Sequence, residues 1–158
     1  MLHNLRNTGA LVRKIAKVSS FTMLGLLGGC ASQVSLPFSQ PSQDYSQLYL
    51  RGVFSWWEAE AQFKVVEKDD DRFSTSIKLI ADGQPYDFKF ADANWTPGLS
   101  CGTASGTKED IQLDVKAEAN CDGSGENFRF TPPETGTYEF VIDFSDEDEP
   151  LVSVVRIG

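Results

Sequence analysis

The segments YDFKF (residues 86–90) and YEFVIDF (residues 138–144) decide the fold class. In both, large apolar residues alternate with other residues, which is the period-two pattern of a β-strand with one buried face. Further segments with this alternation or with strand-like composition are 48–54, 63–67, 73–79, 111–117, 128–130 and 151–157. The sequence therefore predicts strands along most of its length after residue 47.

Clusters of Asp, Gly and Pro separate these segments, as expected for tight turns between neighbouring strands. No stretch has a convincing apolar stripe of helical period. About eight strands with one apolar face each can be buried together only as two sheets packed face to face. We therefore predict an all-β fold over residues 47–158, an immunoglobulin-like antiparallel β-sandwich of about eight strands.

The first 30 residues have the composition of an export signal. A basic region precedes the apolar stretch FTMLGLLGG (21–29), which is too short to span a bilayer and fits a secretory signal. The basic residues are Arg6, Arg13, Lys14 and Lys17.

The tetrapeptide LGGC, residues 27–30, resembles the bacterial lipoprotein signal. The resemblance implies that residues 1–29 are removed and that Cys30 carries lipid, which anchors the protein to a membrane. Ala31 follows where Asp would direct retention in the inner membrane, so by resemblance to Gram-negative lipoproteins we expect the outer membrane. The alternative is an ordinary secretory signal with a nearby cysteine.

Residues 30–46 are rich in Ser, Gln and Pro and show neither strand nor helix periodicity. They are expected to form a flexible tether that links Cys30 to the domain at 47–158. Without residues 1–29, ten basic and 23 acidic residues would remain, a net charge of −13. Such a chain repels phosphate backbones, which argues against a nucleic-acid partner and leaves neutral ligands open.

The remaining cysteines, Cys101 and Cys121, are interpreted as a disulfide because an exported protein folds in an oxidising compartment. Two free thiols or a metal-binding pair are the alternatives, and the latter lacks further ligands. The acidic turns at 69–71 and 143–149 are expected to be solvated, with one structural calcium ion as the minority alternative.

Enzymatic activity is not expected. The single histidine, His3, lies in the segment that would be removed, which excludes a His-dependent triad. Carboxylate pairs such as Glu58 and Glu60 occur by chance in so acidic a chain. We therefore predict no catalytic residues, cofactor or metal site.

Three tryptophans are the candidates for ligand contact. Neighbouring side chains of an extended backbone point to opposite faces, so we expect Trp56 to pack the end of the sandwich and Trp57 to face solvent. Trp95 precedes a Thr-Pro-Gly turn and should be exposed at a strand end. Exposed indoles on a rigid frame stack on pyranose rings, and Lys89 on an outward strand face could donate to a sugar oxygen.

The order of these residues resembles a known family. RGVFSWW (51–57) is similar to the G-x-F-N-x-W start of starch- and glycogen-binding modules, and YDFKFADANW (86–95) is similar to their Y-x-F-K-F…W strand and loop. The resemblance spans about residues 48–95, with Ser55 in place of the usual Asn. It implies that Trp57 and Trp95 stack on glucose units and that Lys89 hydrogen-bonds. The implied partner is an α-glucan.

A second hypothesis is a structural or assembly lipoprotein that binds a protein partner, for example by adding a strand at an open sheet edge. Exposure of Trp57 and Trp95 on one face beside Lys89 would favour sugar binding. Burial of both indoles, together with a long uncharged edge strand, would favour the protein partner.

Overall fold

The computed structural model describes residues 43–69 and 71–158, which form ten β-strands and three short 3₁₀ helices. No α-helix occurs in this part of the chain, and none of its helices is long and apolar enough to cross a membrane. The strands are β1 Tyr49–Gly52, β2 Val66–Asp69, β3 Arg72–Leu79, β4 Tyr86–Ala91, β5 Ser100–Thr103, β6 Glu109–Asp110, β7 Ala117–Asn120, β8 Phe128–Phe130, β9 Gly136–Asp143 and β10 Leu151–Arg156. The 3₁₀ helices are Tyr45–Gln47, Val53–Ser55 and Ala61–Phe63.

The strands form two layers. One contains β1, β4, β5, β8 and β6, and the other runs in the order β2-β3-β9-β10-β7. A pairing of β5 with β7 joins the layers along one side. The predicted all-β sandwich is confirmed, with ten strands where about eight were expected and with one parallel pair, β6 with β8.

Aromatic rings fill the space between the layers. Phe88 on β4 meets Phe140 on β9 edge to face, with ring centroids 4.8 Å apart, and Phe130 meets Tyr138 at 5.1 Å. All four residues are buried. Each large side chain removed from water contributes about 2–3 kcal/mol, so the alternation of these residues with polar ones fixes the inner face of each strand.

The strand predicted at 111–117 is wrong. Residues 111–116 form a turn-containing loop in which Asp114 has φ of 62° and Val115 is 49% exposed. Only Ile111 is buried there. The residue pattern of a strand thus occurs in a loop, while two strands that lack a clear pattern, β5 and β7, lie on either side of it.

The predicted disulfide between Cys101 and Cys121 is present, with an S–S distance of 2.01 Å. Cys101 lies on β5 and Cys121 directly follows β7. Closing a loop between residues 20 positions apart stabilises the fold by about 3 kcal/mol in the chain-entropy model.

The folded region begins before residue 47. Tyr45 stacks on Phe144 with ring centroids 3.6 Å apart and an interplanar angle of 8°, and meets Phe73 edge to face at 6.1 Å. Tyr45, which the sequence assigned to the tether, therefore packs against the sandwich. The signal segment 1–29 and Cys30 lie outside the described residues, so their roles stay predictions.

Candidate functional site

The first tryptophan loop, residues 53–58, begins where β1 ends at Gly52. A side chain at Gly52 would have its Cβ 2.5 Å from the Asp87 carbonyl oxygen and 2.7 Å from the Phe54 ring, so only glycine fits. The Ser55 hydroxyl accepts a hydrogen bond from the Gly52 N–H and donates to the Gly52 carbonyl, both at 3.2 Å. Ser55 therefore closes this turn itself, at the position where the similar modules carry Asn.

Trp56 and Trp57 both adopt the left-handed backbone region, with φ of 51° and 65°. The segment is a tight turn rather than extended chain, held by hydrogen bonds from Trp57 N to Gly52 O and from Glu58 N to Ser55 O, each 2.9 Å. Left-handed conformations cost about 1–2 kcal/mol for residues other than glycine. Such strain is concentrated at functional sites in proteins.

The turn changes the expected orientation of the tryptophan pair. Trp56 is 87% exposed, so the prediction that it packs the end of the sandwich is wrong. Trp57, which was expected to face solvent, is half-buried and less exposed than Trp56. The physical reason is that the alternation of faces applies only to extended backbone, and residues 56 and 57 are not extended.

The second tryptophan loop, residues 92–98, follows β4 and is organised by Asp92. The buried Asp92 carboxylate accepts hydrogen bonds from Asn94 N at 3.1 Å, Thr96 N at 2.8 Å and the Thr96 hydroxyl at 2.6 Å. Burial disfavours the charged form, but these hydrogen bonds outweigh it, so the pKa of Asp92 lies below its ordinary value. The loop holds Trp95, 38% exposed, in a third left-handed conformation with φ of 58°.

The two loops bring Trp57 and Trp95 together as an indole pair. Their ring centroids are 6.4 Å apart and the planes are inclined by 43°. The rings are thus tilted relative to each other, and neither is stacked flat on the other. Adjacent, partly exposed aromatic faces of this kind can each contact an apolar ring face of a ligand.

The buried side chain of Arg51 contacts both tryptophan loops. The side chain is 4% exposed, and its guanidinium carbon lies 3.9 Å from the centroid of the Trp95 ring. Nε donates to the Trp57 carbonyl at 2.6 Å and Nη1 donates to the Asp92 carbonyl at 2.7 Å. Burial lowers the pKa of Arg51, opposed by Glu58 and Asp92, but a guanidinium stays protonated in proteins.

Sequence reasoning missed this role of Arg51. The available signal was the position of Arg51. It lies on the face of β1 that points away from the core, directly before the Gly-x-Phe turn. With it, the indole pair becomes a pre-positioned unit in which one planar cation fixes the backbone of both loops.

Lys89 lies opposite Arg51 in the β1–β4 pairing. Its ammonium donates to the carbonyl of Gly125, and burial lowers its pKa, with Glu126 acting in the opposite sense. One N–H is thus used to fix the 122–126 loop. Of the three predicted contact residues, Trp57 and Trp95 meet at Arg51, whereas the Lys89 ammonium is directed to the 122–126 loop.

No group of three or more His, Cys, Asp or Glu side chains suited to hold a metal ion occurs in residues 43–69 and 71–158. The acidic turns form local hydrogen bonds instead. Asp143, for example, accepts from the backbone and hydroxyl of Ser145 at 3.1 and 2.6 Å.

Comparisons with known proteins bear on the fold. No protein-family model matches the sequence, and no curated protein matches it. Among solved structures, one described as "Ligand induced structure of AmyP-SBD", a starch-binding domain, superposes with a TM-score of 0.52 at 20% sequence identity. The match covers 94% of this chain and 97% of that chain. At this identity the likeness shows the fold alone, a β-sandwich that this chain shares with that structure.

Proposed function

We propose that this protein is a non-catalytic, lipid-anchored carbohydrate-binding protein whose ligand is an α-glucan of the starch or glycogen type. The observation that carries the proposal is the indole pair, Trp57 and Trp95, held 6.4 Å apart on left-handed backbone by Arg51. The resemblance of residues 48–95 to starch- and glycogen-binding modules supports it, and so does the fold shared with a starch-binding domain.

The chemistry of the pair suits a sugar chain. The apolar faces of two glucose rings would stack on the two indoles, whose planes are inclined to each other by 43°. Lys89, which lies opposite Arg51 in the β1–β4 pairing, would donate to a sugar hydroxyl. Because Arg51 fixes both loops before binding, little ordering entropy is lost on association.

Each site makes a small contact, so affinity per copy is expected to be weak. Lipid on Cys30 would place many copies on the outer membrane, where one polysaccharide chain can engage several at once. The protein would then hold glucan at the cell envelope without cutting it.

The alternative protein partner finds little support at the β2 edge of the sheet. β2, Val66–Asp69, ends one layer and is exposed at every position, but three of its four residues are charged and its pairing with β3 shifts register between Glu67 and Asp69. Short, charged and bulged edges resist the addition of another strand. This edge lacks the features that strand addition needs.

The proposal is tested by native gel electrophoresis of the mature protein in mild detergent. Gels that contain amylose or glycogen should retard the protein, and gels that contain an unrelated polysaccharide should not. Trp57→Ala and Trp95→Ala should each weaken binding at least tenfold, about 1.4 kcal/mol, because half of the stacking surface is lost.

Trp56→Ala is the matched control, since it removes an indole from the same loop that is not part of the pair. It should keep most of the retardation. Circular dichroism confirms that each variant is folded. The proposal would be contradicted if amylose and glycogen left the mobility of the wild-type protein unchanged. It would also be contradicted if folded Trp57→Ala and Trp95→Ala were retarded as strongly as the wild-type protein.

A further inference from the structure

We propose that the glucan path extends beyond the indole pair to a second contact point on the outer face of β1, the Tyr49 hollow. This inference rests on the proposed α-glucan function. The hollow has a volume of about 170 Å³. It is lined by Gln47, Tyr49, Lys64, Asp92, Ala93 and Asn94.

The hollow lies next to the indole pair along β1. Tyr49 and Arg51 are two residues apart on one strand, so their side chains leave on the same outer face, about 7 Å apart. Their partners on β4 are Ala91 and Lys89. The Arg51 guanidinium contacts the Trp95 ring. The hollow, which begins at Tyr49, therefore lies two residues along β1 from the residue that contacts this ring.

One loop builds both contact points. The second tryptophan loop brings Ala93 and Asn94 to the hollow and Trp95 to the indole pair. Asp92 holds Asn94 and Thr96 with its carboxylate and accepts from Arg51 with its carbonyl. The two contact points are therefore fixed relative to each other by the same hydrogen bonds.

The side chains of the hollow have the chemistry of a sugar contact. Tyr49 provides a half-buried aromatic ring, and the Lys64 ammonium lies 6.0 Å from its centre, at the outer limit of a cation–π contact. Lys64 and Asn94 are exposed and can donate to hydroxyls, and the Asn94 amide can also accept.

The same features argue for a neutral ligand. The Asp92 carboxylate is occupied by Thr96 and Asn94, so the hollow offers an aromatic ring, amides and one exposed ammonium. A neutral chain that rests on the indole pair can therefore continue into the hollow without burying an unpaired charge. The affinity should consequently depend on chain length.

The test is isothermal titration calorimetry of the mature protein in mild detergent with maltotriose and with maltoheptaose. Any longer chain binds with a few-fold higher affinity than maltotriose, because it can occupy the site in more than one register. In the wild-type protein we expect a further gain of about tenfold for maltoheptaose, about 1.4 kcal/mol from the second contact. Tyr49→Ala should abolish this further gain, so that only the few-fold statistical advantage is left.

Two further variants keep the test decisive. Tyr49→Phe retains the aromatic ring and should retain the length dependence. Asn94→Ala changes an exposed loop side chain, so it should fold even if Tyr49→Ala does not, and it should reduce the gain for maltoheptaose.

The outcomes separate this inference from the proposed function. If neither oligosaccharide binds the wild-type protein, the α-glucan function fails and the hollow with it. If maltotriose binds but folded Tyr49→Ala and Asn94→Ala keep the full length dependence, the hollow is overturned and the indole pair stands. Loss of the further gain in both variants supports a second contact point.

Discussion

Replacement of Arg51 by Met tests whether one buried cation organises the candidate site. Met keeps an unbranched, apolar stem of similar reach but removes the guanidinium. The carbonyls of Trp57 and Asp92 then lose their donors, at 2.6 and 2.7 Å, and Trp95 loses the cation 3.9 Å from its ring centroid. Both tryptophan loops are affected by a single substitution.

The magnitude follows from these contacts. Leaving a buried acceptor unpaired costs about 1–3 kcal/mol, and a desolvated cation–π contact contributes about 1–2 kcal/mol. Water can reach the loop carbonyls in part, so we expect a loss of about 3 kcal/mol in the free energy of unfolding. For a domain of this size that corresponds to a decrease in Tm of about 10 °C.

The assay is urea unfolding followed by tryptophan fluorescence, with near-ultraviolet circular dichroism of the native state as a readout of the indole pair. Arg51→Met should reduce the near-ultraviolet signal even where the protein is fully folded. Arg51→Lys should recover only part of the stability, because an ammonium lacks the planar fork that reaches both carbonyls.

Arg72→Met is the matched control, since the Arg72 side chain is partly exposed and forms ion pairs with Asp69 at 3.2 Å and with Asp143 at 3.9 Å, so its loss should cost about 1 kcal/mol. Equal stability losses in the two variants, together with an unchanged near-ultraviolet spectrum in Arg51→Met, would refute the reasoning.

Two further predictions concern the same loops. The pKa of Asp92 is lower in the folded protein than in the unfolded chain, so its contribution is present above the unfolded pKa of about 3.9 and is lost as the pH falls through the folded pKa. Asp92→Asn should therefore cost about 1 kcal/mol at pH 7 and less at pH 3, as measured by urea midpoints, and a cost that is the same at both pH values would contradict this assignment. At position 56, where φ is 51°, Trp56→Gly should be more stable than Trp56→Ala by about 1 kcal/mol, because only glycine adopts this conformation without strain. Equal melting temperatures of these two variants would show that the left-handed turn stores no strain.

The strands that could be predicted from the sequence are those whose large apolar side chains pack across the core. β4 and β9 have large apolar residues at every second position, and the sandwich cannot form without burying them. β5 could not be recognised in this way, because Ser100–Thr103 is buried on both faces and has small side chains. A side chain on Gly102 would meet the backbone of Gly125, so this strand is specified by close backbone packing rather than by alternation.

The candidate site was predicted in its residue types and not in its geometry. The motif order singled out Trp57, Trp95 and Lys89, but no local propensity indicates that a bulky aromatic residue adopts positive φ. The turn at 56–57 depends on the Ser55 hydroxyl and on Arg51, both of which act through backbone carbonyls. Such contacts depend on the tertiary structure, so a pattern of residue types does not reveal them.

The disulfide has a consequence for how the protein matures. Gly98 N donates to the Cys121 carbonyl at 2.7 Å, and Asp92 N donates to the Leu99 carbonyl at 2.9 Å, so the segment that carries Trp95 is fastened at its base to the cross-linked cysteine. In a reducing environment that fastening depends on hydrogen bonds alone. Disulfide formation would then be the step that makes the candidate site rigid, and chains that retain free thiols would keep the Trp95 loop less firmly held.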